Sequence, residues 1–310
     1  MAVDIPNYRV VEKLGVGAQT RIFRARCMRT GKDYAIKVVK IVNPEDAGFI
    51  DLLRTEHAIG SAIDHPVIRK VYELRMLRRR LRVYGAILFM EYVPGISLRD
   101  KDGKRTLDEI IRVFTEAARG LNAMHNLGYV HADLKPNNIM VSPDGAVKLI
   151  DLGQSSRMNE AKPRIQGTIH YMAPEQSHRG VLDQRTDVFG LGATLHHVLT
   201  GKPIKTEMNK TLTLDSQGQV GRLVEDSYDP AKGRLPICLN RLIEDCCQYD
   251  PEDRINDMPA LSQRLDLART ILKKRDEDTA SVAVEAQESV EEIEDDHFGL
   301  DEEDIQPPDL

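Results

Sequence analysis

The sequence predicts an α+β fold of two lobes, a small strand-rich one followed by a larger, mostly helical one. Three observations predict it. Before Pro94-Gly95 the apolar residues fall in short runs separated by glycine-containing turns, and after it they recur at helical spacing. Just past that junction, His131 to Gly153 reads HADLKPNNIMVSPDGAVKLIDLG, with polar groups set in and between apolar strand-like runs. A segment built that way ends its strands at a polar cleft instead of closing a core.

Each element follows in order. Tyr8 to Leu14, Arg21 to Cys27 and Asp33 to Ile41 read as strands, Ala47 to Ile63 as a helix, and Val67 to Met76 and Val83 to Met90 as two more strands. Five strands and one helix make the first lobe. In the second, Thr106 and Glu109 form a Thr-x-x-Glu capping box. Leu107, Ile110, Ile111, Phe114, Ala118, Leu121 and Met124 then lie on one helical stripe. Val188 to Leu199 is apolar enough for a buried helix stopped by Gly201 and Pro203, and Pro236 to Cys247 and Met258 to Leu272 supply two more.

Composition narrows the class. At 41% hydrophobic the chain can build a real core, no apolar run approaches a membrane span, and Met1 to Tyr8 lacks a signal-peptide pattern. Cys27, Cys238, Cys246 and Cys247 form no metal-ligand set, which fits a reducing, cytoplasmic compartment. The net charge of −6 hides a division, because 15 of the 49 acidic residues lie from Asp276 to Leu310, where there is no Lys or Arg. The first 275 residues keep 43 basic and 34 acidic residues, a balance of +9. The expected organisation is a domain over 8–275, split at 93/94, and an acidic disordered tail over 276–310.

The chemistry sits in the 23-residue segment. Asp133, Lys135, Asn138 and Asp151 supply two carboxylates, an ammonium and an amide, a set suited to Mg-assisted transfer of a phosphoryl group. Asn138 follows Asp133 by five residues, Asp151 follows Asn138 by thirteen, and Gly153 follows Asp151 by two. That order resembles the catalytic and metal-binding loops of eukaryotic-type (Hanks-type) serine/threonine protein kinases. Upstream, Leu14-Gly15-Val16-Gly17 lies between two strands, where glycines let backbone amides approach phosphate oxygens. Lys37 sits in an apolar run and needs an anion, for which Glu56 on the following helix is the candidate. The resemblance now spans about Tyr8 to Arg275, a bilobal protein-kinase-like fold.

The resemblance implies ATP and Mg2+ as cofactors and the following roles. Asp133 accepts or orients the proton of the substrate hydroxyl, Lys135 stabilises the γ-phosphoryl group, and Asn138 and Asp151 hold the metal. Lys37 contacts the α- and β-phosphates and pairs with Glu56. Leu14, Gly15 and Gly17 cover the nucleotide, Ile22, Ala35 and Met140 sandwich the adenine, the backbone of Glu91 and Val93 bonds its edge, and Met90 is the gatekeeper. Thr168 bonds Asp133 and Lys135, Glu175 pairs with Arg254, and Asp187 ties the catalytic-loop backbone. Small-molecule kinases of the aminoglycoside and choline type share the Asp and Asn pattern but generally lack a Gly-Thr to Ala-Pro-Glu loop. Gly167 to Glu175 (GTIHYMAPE) therefore favours a protein substrate.

Four departures from the family pattern shape expectations about control. Ala132 stands where many regulated kinases carry an arginine that binds a phosphorylated activation loop, so activity is expected without that phosphorylation. Gly60, four residues after Glu56, removes a bulky side chain, so the helix should be loosely held and tuned by a partner or dimer contact. Thr20 replaces a third loop glycine. Ser97 and Asn137 replace acidic groups, which disfavours a preference for basic residues before the acceptor. The arginines between Arg75 and Arg82 fit a solvated hairpin and, lacking interleaved aromatics, weigh against nucleic-acid binding. The alternative to an active enzyme is a pseudokinase scaffold binding partners through its first lobe and tail.

Overall fold

The computed structural model describes residues 5–17, 19–100, 105–162, 164–204 and 235–295. The first lobe is a five-stranded antiparallel sheet: β1 (Tyr8–Val16), β2 (Thr20–Cys27), β3 (Asp33–Lys40), β4 (Val71–Arg79) and β5 (Arg82–Glu91). Their order across the sheet is β1-β2-β3-β5-β4. Helix α1 (Ala47–Ala62) joins β3 to β4 and buries Ile50, Leu53 and Ile59. Ile50 and Leu53 share a cluster with Ala35, Val39, Val71, Leu88 and Met90. Full burial of one such aliphatic side chain is worth about 1.5–3 kcal/mol.

The predicted strand over 67–76 is displaced, because β4 begins at Val71 and runs on to Arg79. Residues 66–67 instead form a turn, with Ile68 bridged to Leu149 and the amide of Arg69 donating to Leu149 O at 3.0 Å. The arginines end β4 and enter a hairpin whose tip, Leu81, is 94% exposed. The two hairpin strands satisfy each other's backbone, so arginine side chains can face water without ending the ladder.

The expected gap at Gly60 is absent. A Cβ built there would stand 3.0 Å from Val71 Cβ, inside contact distance of Val71 Cγ2, and 3.4 Å from Leu152 Cδ1. The backbone of α1 approaches β4 too closely for a side chain, and Val71 fills the space. Gly60→Leu is therefore expected to destabilise the chain by about 1–3 kcal/mol through overpacking. Thermal denaturation would show this as a lowered Tm, whereas a filled gap would raise it.

The second lobe opens with β6 (Ile96–Ser97) and α2 (Leu107–Asn126). Thr106 Oγ1 accepts from Glu109 N at 3.2 Å and Glu109 Oε2 accepts from Thr106 N at 2.8 Å, so the capping box forms. The stripe faces inward, with Ile111, Phe114, Ala118, Leu121 and Met124 all buried. Short strands β7 (Tyr129–Val130), β8 (Ile139–Val141) and β9 (Val147–Leu149) carry the 23-residue segment, and β6, β8 and β9 form one sheet. Next come β10 (Ser156–Arg157), β11 (Glu160–Ala161), α3 (Pro174–Ser177) and β12 (Val181–Leu182).

Helix α4 spans Gln184–Thr200, starting before the predicted Val188 because Asp183 caps it, accepting from Arg185 N at 2.8 Å. Gly201 ends it at φ 71°, a left-handed position that suits glycine. Helix α5 is Ile237–Cys246 and α6 is Met258–Asp295. No disulfide forms among the four cysteines, and burial pushes the Cys247 thiol up to about 12.

The chain divides into two compact units, Met1–Asp266 and Leu267–Leu310. In the second, helix continues through 276–295, where the acidic composition predicted disorder. Six glutamates and three alanines among those 20 residues favour helix, and helical hydrogen bonds are local. Residues 296–310 lie outside the described residues. No helix among the described residues is long and apolar enough to cross a membrane.

Candidate active site

Five polar groups far apart in the sequence meet at one cleft. Lys37 projects from β3, Glu56 from the middle of α1, Asp133 and Asn138 from the loop between β7 and β8, and Asp151 from the turn after β9. Lys37 Nζ donates to Glu56 Oε2 at 2.8 Å and to Asp151 Oδ1 at 2.7 Å. Burial would push the Lys37 ammonium down, but Glu56 and Asp151 outweigh it and hold the group above its ordinary value. Burial would likewise raise the Asp151 carboxyl, and Lys37 outweighs that and holds it well below the usual carboxylate range. Both groups stay charged at neutral pH.

Asp133 is held from three sides. Its Oδ1 accepts from Thr168 Oγ1 at 2.7 Å, its Oδ2 accepts from Lys135 Nζ at 2.7 Å, and its carbonyl accepts from Asn138 Nδ2 at 2.8 Å. Lys135 Nζ also donates to Thr168 Oγ1 at 3.0 Å. The backbone here is strained: Ala132 and Asp151 sit at φ 59° and 65°. Left-handed non-glycine residues cost roughly 1–3 kcal/mol each, so the surroundings must enforce them. Asp187, at the start of α4, does so for Ala132, accepting from the amides of His131 and Ala132 at 2.8 Å each while His125 Nε2 lies 2.8 Å away. Burial would raise the Asp187 carboxyl; His125 and the Ala132 amide are among the groups that outweigh it and lower its pKa.

The donor set fits a magnesium ion. Such an ion takes one or two protein carboxylates and completes its octahedron with water and phosphate oxygens. Asn138 spends its amide nitrogen on Asp133, which leaves Oδ1 available, and the Asp151 side chain is 38% exposed, with Oδ2 free of any protein donor among the described residues. No cluster of three or more His, Cys, Asp or Glu competes for a metal among the described residues.

The cleft is a cavity of about 790 Å³, within the range of small-molecule sites. Leu14, Gly15, Gly17, Ile22, Ala35 and Lys37 line it from the first lobe, with Glu91 and Val93 at the connector. Asp133, Lys135, Asn138, Met140 and Asp151 line it from the second. Gly17 N donates to Thr20 O at 2.8 Å, and Thr20, Ser97 and Asn137 also line the cavity. Glu56 and Met90 do not line it. Glu56 acts from behind through Lys37, and Met90 is fully buried in the first-lobe core, so its side chain does not form the cavity wall expected of a gatekeeper.

A family model described as the protein kinase domain matches residues 8–265. The chain belongs to the protein kinase family. It is 32% identical over 276 residues to a serine/threonine-protein kinase named PknB from Mycobacterium tuberculosis, covering 85% of this chain and 42% of that protein. Its likeness to the PknB of Mycobacterium leprae is 34% over 275 residues, 85% of this chain and 43% of the relative. The chain thus spans less than half the length of the curated relatives it matches.

Within this kinase domain, one residue of the site escaped the sequence reading. Arg69, buried two residues before β4, donates from Nη2 to Glu56 Oε1 at 2.8 Å and lines the cavity. Glu56 therefore bridges two cations. The signal was faint, because Arg69 follows Val67-Ile68 but stands beside Lys70, and nothing local marks it as the buried one of the two. Arg69→Met is expected to lower the unfolding free energy by about 1–3 kcal/mol, the range for a charge-assisted hydrogen bond. Urea denaturation measures it, and Arg69→Lys should recover part of the loss.

Proposed function

We propose that this domain transfers the γ-phosphoryl group of ATP to serine or threonine hydroxyls of protein substrates, itself included. The observation that carries the proposal is the convergence of Lys37, Glu56, Asp133, Asn138 and Asp151, all in hydrogen-bonded or ion-paired positions, around one nucleotide-sized cavity. The names of the mycobacterial relatives support the same activity. With an intact set of charged groups, nothing favours the pseudokinase scaffold.

In this reading Asp133 receives the proton of the acceptor hydroxyl as its oxygen attacks the γ-phosphorus and ADP departs. Thr168 and Lys135 aim the Asp133 carboxylate, and Lys135 offsets charge on the group in transfer. Asn138 and Asp151 would hold Mg2+, which neutralises phosphate charge when bound. Lys37, kept charged by Glu56, is available to the α- and β-phosphates, and the backbone of Glu91 and Val93 to the adenine edge. Ile22, Ala35 and Met140 would enclose the ring.

A protein acceptor is supported by the ordered Gly167 to Glu175 loop, which is tied to Asp133 through Thr168 and to Arg254 through Glu175. Neutral Ser97 and Asn137 at the cleft support an acceptor sequence without basic residues ahead of the hydroxyl. A partner or dimer contact on α1 would act through Lys37–Glu56, which that helix carries; looseness at Gly60 no longer supports it. Free thiols and ATP chemistry support a cytoplasmic setting for the domain. The test is label transfer from γ-labelled ATP to a protein mixture, to aminoglycoside and choline acceptors, and to water. Phosphoserine or phosphothreonine in protein is the expected product, and label confined to a small acceptor would overturn the proposal.

A further inference from the structure

The catalytic loop carries no cation at residue 132, and its backbone amides at 131 and 132 are already spent on Asp187. A hydrogen-bond donor arrives from elsewhere. Lys162, one residue beyond β11, reaches back and donates from Nζ to the carbonyl of Gln154. Gln154 ends the 3-10 turn Leu152–Gln154 that begins immediately after Asp151. The bond therefore closes the activation segment, which runs from Asp151 to Glu175, on itself three residues past Asp151.

The Lys162 ammonium is half-buried, and the carboxylates facing it are Asp187 on α4 and Asp133 in the catalytic loop. Neither is a dedicated partner: His125 from α2 lies against Asp187, and Lys135 is bonded to Asp133. Glu160 on β11 is exposed.

We propose that Lys162 is a positioning residue, a latch carried by the activation segment that holds the Asp151 turn beside the catalytic loop with no phosphate on the segment. The proposal rests on the kinase function above and deepens it. Reacting groups must be held within fractions of an ångström for transfer, and fixing Gln154 O fixes the turn that aims Asp151. The latch is adjustable, because docking buries an ammonium that water would otherwise solvate.

The sign of the pH effect follows. Burial pushes Lys162 down to about 8 despite Asp187 and Asp133, against 10.5 for a solvated lysine. The docked segment thus binds the proton more weakly than the released one, so docking strengthens as pH rises through about 8. Linkage sets the ceiling at about a tenfold gain in the docking constant between about pH 7 and pH 9.

The experiment uses the full chain, phosphatase-treated, with saturating Mg-ATP and protein acceptor. It follows kcat across that pH window for the parent, Lys162→Arg and Lys162→Met, with Asp133→Asn as the blank. The arginine keeps charge and donor but does not titrate there, so the ratio of parent to Lys162→Arg is expected to rise about threefold or more through pH 8, within the linkage ceiling. Lys162→Met, which cannot donate, is expected to lose kcat while the KM for ATP stays within about twofold. A constant parent-to-arginine ratio overturns the proposal even if the methionine variant does not fold, and so does a methionine variant with the parent's kcat. A parent that transfers no phosphoryl group at any pH overturns the kinase function instead, and this proposal with it.

Discussion

Asp133→Asn is expected to cut the rate of phosphoryl transfer by about 10²–10⁴-fold, the usual contribution of a positioned acid–base group, while nucleotide binding persists. Asparagine keeps the size of the side chain and loses its charge. In the parent both carboxylate oxygens accept, one from Thr168 at 2.7 Å and the other from Lys135 at 2.7 Å. An amide can satisfy one of these donors through its oxygen and turns a donor toward the other, so Thr168 and Lys135 lose their common anchor. On the proposed mechanism the acceptor hydroxyl also loses the group that takes its proton. Because Lys37, Glu56 and Asp151 form a separate set of ion pairs, the nucleotide side is left intact. Steady-state rates combined with fluorescent-nucleotide titration separate the two effects. A variant with the parent's kcat would remove Asp133 from the chemistry.

The largest expected effect on stability lies at Arg254. Its side chain is fully buried and donates to both carboxylate oxygens of Glu175 at 2.9 Å, and to the carbonyls of Gln248, Arg185 and Tyr249 at 2.8 to 3.0 Å. The guanidinium also lies over the Phe189 ring, 5.0 Å from its centroid. Arg254→Met keeps volume but strands a nearly buried carboxylate and three carbonyls at once. Breaking a buried pair this way costs about 3–5 kcal/mol. For a domain of this size that is a fall in Tm on the order of 10 °C. Glu175 keeps one donor, Thr186 Oγ1 at 2.8 Å, which places Arg254→Met nearer the lower end of that range. Differential scanning calorimetry reads the result directly, and an unchanged Tm would show that the pair holds nothing.

Much of this was legible in the sequence because local rules and function agreed. Strand alternation gave β1 to β3 and β5 within two residues, and the Thr106–Glu109 box marked the first residue of α2. The Asp133, Asn138, Asp151 spacing was legible because each residue lies within three residues of a short strand end at the same cleft. What stayed hidden depended on packing between distant segments. Gly60 read as a missing side chain, and only the approach of Val71 from β4 shows that none would fit. Arg69 read as a strand residue, because its burial depends on Glu56 and on the Leu149 carbonyl, neither of them near in sequence. Nothing in the sequence singles out Lys162, because its bond to the Gln154 carbonyl forms only when the chain folds back on itself. The helix over 276–295 was missed for the opposite reason, since charge was weighed above strong local propensity.

The most direct measurement is the initial velocity of γ-phosphoryl transfer to a protein acceptor by the phosphatase-treated chain, beside Asp133→Asn and Asp151→Ala at equal concentrations. The expected result is sustained transfer by the parent and a loss of about 100-fold or more in each variant, with all three proteins folded. Equal rates in all three, or no transfer by the folded parent, would contradict a transfer centre built from these two carboxylates.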